Sequence, residues 1–172
     1  MSLGVLKEPT TKASAGKAPP GAPCDRVPLF AGLGRYVWQA RPAVVLLAPL
    51  IYAGLVPFLL LDLFISVYHA VCLPVYGIPR VRRRDYVVFD RGRLPYLNAL
   101  ERINCVYCSY ANGLAAYFTE IAARTEQHWC PIKHGRLPAA QHSRYPQFLP
   151  FEDARAYRER IEQVRHGFND IR

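Results

Sequence analysis

Four residues in the C-terminal half combine types and spacings that suit chemistry. In NCVYCSYANG, Cys105 and Cys108 form a C-x-x-C pair; in RTEQHWCPIKH, Cys130 and His134 form a C-x-x-x-H pair. Thiolate and imidazole are good ligands for tetrahedral zinc, and three cysteines with one histidine is a common structural set. Zinc in a structural role is the leading reading, with a helical hairpin between the pairs bringing them together. His128 and His142 are possible substitutes for His134. Iron is a second reading, because cysteine and histidine also hold iron–sulfur clusters and haem. Covalent c-type haem attachment is disfavoured, since Ser109 stands where C-x-x-C-H needs histidine. Thiol redox work by Cys105 and Cys108 is a third reading, although a thioredoxin-like βαβ context is absent. Plain packing stands beside all three, because buried free cysteine is common.

Other candidates are weaker. Glu120 and Glu126 invite a carboxylate–metal reading, but no E-x-x-H motif accompanies them; Glu120 and Arg124 are better placed as an i, i+4 ion pair. Arg124 and Lys133 offer cations for an anionic lipid or phosphate. Phosphate-loop, dinucleotide, nucleophile-elbow and zincin motifs do not occur. Tyr96, Tyr107, Tyr110 and Tyr117 lie among basic residues, yet their spacing is that of a helical core beside an anchor, so no nucleic acid is expected as a partner. Five cysteines, Cys24 and Cys72 completing the set, form an odd count without a signal-peptide core, which argues against a disulfide scaffold.

The elements that must position these residues follow from the uneven spread of apolar and charged side chains. The formal net charge of +9 divides as +4 up to Arg41, −1 through Pro79 and +6 thereafter. Residues 1–27 read as a flexible basic tail, too poor in apolar groups to offset the entropy of ordering. Tyr36 and Trp38 beside Arg35 and Arg41 resemble an interfacial lead-in. Residues 42–79 form the membrane element, with Asp62 its sole formal charge. A span needs about 20 helical residues, so this segment suits a tilted span, a helical hairpin or a re-entrant pair, punctuated by Pro49, Pro57, Pro74 and Pro79.

Within it, Asp62, Ser66, His69 and Cys72 recur at i, i+4, i+7 and i+10, one face of a helix. That stripe reads either as a functional intramembrane polar site or as the headgroup-facing side of an interfacial helix. Arg80, Arg82, Arg83 and Arg84 follow directly as a membrane-surface basic cluster. By the positive-inside tendency they put the C-terminal domain in the cytoplasm.

Residues 80–150 should hold the Cys/His-containing helical domain. DYVVFD suggests a short strand, and Pro95 marks the start of a helix bearing Leu97, Leu100 and Ile103. A second helix is expected over about 109–126 with Leu114, Tyr117, Phe118 and Ile121 as its apolar face. Residues 131–150 read as loop. Residues 151–172 carry an amphipathic C-terminal helix, seamed by Ala154, Tyr157, Ile161 and Val164.

Three segments carry a resemblance: LLLDLFISVYHAVCLPVYGIPRV; YLNALERINCVYCSYANG after a DR pair; and EIAARTEQHWCPIKH. Over roughly Leu47 to Tyr157 the chain resembles a family of small uncharacterised bacterial membrane proteins with an NCxYCxYxNG…RTEQxWCPIKH core. The resemblance implies bacterial origin and membrane association but no mechanism.

The fold expected is thus mainly α: a membrane-embedded helical hairpin or re-entrant element, then a small helical cytosolic domain. The leading functional expectation is a zinc-binding accessory protein of a larger assembly at the bacterial inner membrane. The alternatives are a membrane-associated oxidoreductase using iron or the dithiol, and a metal-free lipid-interacting membrane protein.

Overall fold

The computed structural model describes residues 41–171, with positions 28, 30, 34 and 38 before them. Most of the expected tail and lead-in, with Cys24, Arg35 and Tyr36, lies outside the described residues. Trp38 and Arg41 are exposed. The described chain is mainly helical and contains no strand.

The apolar segment forms α1 (Pro42–Ala53) and α2 (Leu55–Val75), which meet at Gly54. Pro57 accounts for the joint, because its ring crowds the carbonyl four residues earlier and it has no N–H to bond it. Gly54 keeps right-handed dihedrals (φ −58°, ψ −17°), so the helices continue as one rod of 34 residues, Pro42–Val75. The expected hairpin is corrected here: the apolar segment does not double back. Pro49 and Pro74 are absorbed inside the helices. The rod stops at Gly77, whose φ of 66° is left-handed and easy only for glycine. Gly77 N–H donates to the Pro74 carbonyl (3.2 Å) and Ile78 N–H to that of Leu73 (2.8 Å). These bonds close a Schellman cap whose hydrophobic pair, Leu73 and Ile78, is buried.

Residues 76–98 return along the rod as an extended strap with 3₁₀ turns at Arg83–Asp85 and Arg91–Arg93. The expected DYVVFD strand is absent, because this segment lies across a helix with no neighbouring strand to bond. Its Tyr86 and Val87 backbone rests on Gly113, where a Cβ would stand 2.7 Å from the Tyr86 oxygen.

The next helix, α3 (Ala99–Trp129), is 31 residues long and unbroken. It starts at a capping box: Asn98 Oδ1 accepts from Glu101 N–H (3.0 Å), and Glu101 Oε2 accepts from Asn98 N–H (2.8 Å). The two helices expected from Pro95 and over 109–126 are therefore one, and Pro95 precedes it. No proline interrupts residues 99–129, and Gly113 serves close packing instead of a turn. Along the rod, Tyr52 bonds Asn104, Asp62 meets Tyr110, Tyr68 meets Thr125, and Tyr76 meets Trp129. Both sequences advance together, so α3 lies parallel to α2 with the strap running back against both. Ile65, Leu73, Ile78, Val81, Leu114, Tyr117 and Ile121 form their shared core.

Residues 130–153 form a loop closed by an isolated bridge between Ile132 and Leu149. Helix α4 (Ala154–Arg165) follows, capped by Asp153 accepting from Ala156 N–H (2.8 Å). Ile161 and Val164 bury its seam, whereas Ala154 and Tyr157 stay exposed.

Candidate functional site

The expected metal ligands do not converge. Cys105 and Cys108 sit one turn apart on α3, Cys130 caps that helix, and His134 follows in the loop. At 1.5 Å per residue, the uninterrupted helix separates Cys105 from Cys130 by about 37 Å. One mononuclear site holding all four is therefore corrected, because the hairpin that would have joined the pairs is a straight rod. Among the described residues, no group of three or more His, Cys, Asp or Glu side chains is poised to hold a metal.

The potential substitutes are engaged elsewhere. His142 Nε2 lies 3.0 Å from Glu126 Oε2, and Glu120 accepts from Arg124 Nε at 2.8 Å. The exposed His134 ring stacks on Tyr145. Arg124 is buried and donates to the carbonyls of Pro79 (2.9 Å) and Arg80 (3.1 Å), so it pins the strap instead of facing an external anion. His128 packs beside Tyr76, Trp129 and His166. Burial holds its imidazole below the usual histidine range, and the His166 and Arg165 charges push the same way.

The polar stripe of α2 turns inward. Asp62 takes a two-pronged contact from Arg83, whose Nη2 lies 2.7 Å from Oδ2, and accepts from Tyr110 Oη at 2.8 Å. His69 Nε2 accepts the Val81 N–H at 2.9 Å, which puts the ring proton of the neutral form on Nδ1. Cys72 is half-buried, whereas Ser66 stays exposed and only its hydroxyl reaches back to Asp62 (3.4 Å). Asp62, His69 and Cys72 of the stripe therefore face their own protein, not headgroups. Arg83 also leaves the basic cluster, since it is Asp62's counter-charge; Arg80, Arg82 and Arg84 stay exposed. A lone acid in an apolar helix needs a partner, and that requirement was the available signal for this pair.

The outward side of α2 has the opposite character. Val56, Leu59, Leu60, Leu63, Phe64 and Val67 are all exposed, Leu63 at 64%. On α1 no residue is buried, although the helix is apolar on every side. The rod thus points its polar groups inward and its hydrocarbon outward, the inverse of a water-facing helix. By length and composition it is apolar enough to cross a membrane.

This face continues into an open groove of about 480 Å³ where the rod, strap and α3 meet. Leu55, Leu59, Phe89, Ile103 and Val106 line it, with Arg102 its one charged wall residue. Nothing in the sequence pattern marked this groove, because its walls come from three separate segments.

Comparison of the chain with protein-family models, curated proteins and solved structures found no match.

Proposed function

We propose that this chain is a monotopic, lipid-interacting membrane protein whose rod lies along one leaflet while the strap, α3 and α4 face water. The inverted amphipathicity of α2 carries this reading. Soluble monomers rarely expose contiguous apolar patches beyond a few hundred Å², and an all-apolar helix without protein cover needs lipid. Exposed Arg80, Arg82 and Arg84 suit anionic headgroups, which favours the cytoplasmic leaflet of a bacterial inner membrane. The four-ligand metal reading has less support, because the straight α3 keeps Cys105 and Cys108 far from Cys130 and His134.

An in-plane rod fits better than an upright one. The rod is about 51 Å long, against a hydrocarbon core of roughly 30 Å. Contacts to α3 begin at Ile51, whose carbonyl accepts from Tyr107 Oη, so only about 14 Å of helix stands clear before them. An upright rod would also carry the strap to hydrocarbon depth. There the exposed Arg84, Asp85, Asp90, Arg91 and Arg93 would cost roughly 2.5–3.5 kcal/mol each.

Vesicle flotation tests attachment. The protein should float with anionic vesicles, and a Leu63→Glu, Val67→Glu double variant should remain soluble while folded. Unchanged flotation would remove the lipid-facing assignment. Bimane labels introduced singly at positions 45, 63 and 70, which share one helix face and are exposed, in a background with native cysteines replaced by serine, then test orientation. Quenching by depth-graded doxyl lipids should place all three at one shallow depth. A deep 63 between shallower neighbours would instead establish a spanning rod.

A further inference from the structure

We propose that the groove between the rod, the strap and α3 binds one acyl chain of an anionic phospholipid, with Arg102 engaging its phosphate. This rests on the membrane reading of the rod and goes beyond it, because lipid-facing surfaces need not hold any lipid in a defined place.

Three observations select this occupant. First, the groove is continuous with the rod's outward face: Leu59 belongs to both and is 52% exposed. A chain lying against that face passes into the groove without crossing water. Second, the walls are almost wholly hydrocarbon and aromatic. Tyr107 and Tyr110 turn their hydroxyls away, to the Ile51 carbonyl (2.7 Å) and to Asp62 (2.8 Å). Few polar groups remain to orient a polar ligand, whereas an acyl chain needs none. The cavity is also within the roughly 300–1,000 Å³ of ligand sites.

Third, cations border it on one side. Arg102 is half-buried and held by bonds from Nε to the Leu97 carbonyl (3.0 Å) and from Nη2 to that of Leu94 (3.3 Å). Its Nη1 has no protein partner among the described residues. Arg91 and Arg93 flank Gly92 on the groove's strap wall and are exposed. A positioned guanidinium beside a hydrocarbon slot matches a phosphate joined to an acyl chain. An apolar helix from another protein would leave Arg102 without a counter-charge.

The test uses full-length protein on anionic vesicles containing phosphatidylglycerol with a diazirine in one acyl chain. After irradiation, mass spectrometry maps the labelled residues. Label should concentrate on Phe89, Ile103 and Val106 above the open face at Leu63 and Val67. Val106→Trp, which fills the groove, should abolish the groove label while leaving Leu63 and Val67 labelled, with the helical circular dichroism of the parent. Arg102→Gln should remove the preference for this probe over a phosphatidylcholine analogue.

Equal labelling of groove and open face, or groove label that survives Val106→Trp, would overturn the proposal with the membrane reading intact. So would an unchanged headgroup preference in Arg102→Gln. A benzoylphenylalanine at position 106 that crosslinks to a second copy or another polypeptide, instead of lipid, would equally overturn it. Absence of label from Leu63 and Val67 as well would overturn the membrane reading, and this proposal with it.

Discussion

Asp62 shows how one side chain constrains the rod around it. A carboxylate in an apolar helix must be hydrated, neutralised or paired. Here Arg83 and Tyr110 both reach it, so pairing prevails. Asp62→Ala would leave Arg83 without its counter-charge at the seam of rod and strap. Hydrogen bonds to charged groups contribute about 1.5–3 kcal/mol, and chemical denaturation should show a loss of that size. A loss below about 0.5 kcal/mol, the level of a bland surface change, would mean that the pair does not hold the strap.

The cysteines give the opposite expectation. Cys108 is exposed, Cys105 is half-buried, and α3 keeps both far from Cys130. A Cys105→Ser, Cys108→Ser variant should therefore stay within about 1 kcal/mol of the parent. Structural zinc sites contribute on the order of 10 kcal/mol, so collapse of that variant would restore a metal role.

The element that decides the architecture is α3. Its approximate start was legible from Pro95, three residues before the Asn98–Glu101 capping box that satisfies two orphan backbone donors. Its apolar face at Leu114, Tyr117 and Ile121 was also legible, because helical periodicity needs only sequence spacing. Its continuity past Cys108 was not legible, since Ser109, Asn112 and Gly113 are poor helix formers until tertiary packing overrides them. Gly113 is the clearest case: the sequence offers a break, yet the strap uses the missing side chain as a crossing point. Gly113→Ala should improve helix propensity by roughly 1 kcal/mol but drive a Cβ into backbone. Overpacking costs about 1–3 kcal/mol, so the net thermal stability should fall. A higher melting temperature would show that the strap does not rest there.

At the scale of the whole molecule, a second polar network ties the C-terminal elements together. Buried Arg144 bonds Gln127 of α3 and lies 2.8 Å from Asp170, while Gln127 Nε2 donates to the Val164 carbonyl at the end of α4 (2.8 Å). Burial opposes ionisation of Asp170, but the hydrogen bond and charge of Arg144 outweigh it and hold the carboxyl below its usual 3.8. That stabilisation is complete above the unfolded value and is lost as pH falls through the folded one.

His128 acts earlier in an acid titration. Its folded imidazole protonates below 6.5, so the unfolded chain takes up that proton first as pH drops. Stability at this end of the rod should be flat above about pH 7 and decline as pH falls below about 6.5. His128→Gln should shrink that first decline in pH-dependent denaturation, leaving the share of His69, which burial shifts the same way, and the acid limb near Asp170. An unchanged profile would assign the decline to other groups.

The sequence by itself determined an apolar segment of 34 or more residues, the net-positive flanks on either side of it, the helical periodicities and the last amphipathic helix. These depend on local order and side-chain chemistry, which spacing records directly. Tertiary structure alone decided which way each face points. Asp62 and His69 align on any helix, but only the returning strap supplies Arg83 and the Val81 N–H that turn them inward. Likewise, four plausible ligands were read from two short motifs. Whether they meet depended on the intervening chain folding back, and an unbroken helix holds its ends at a distance set by its length.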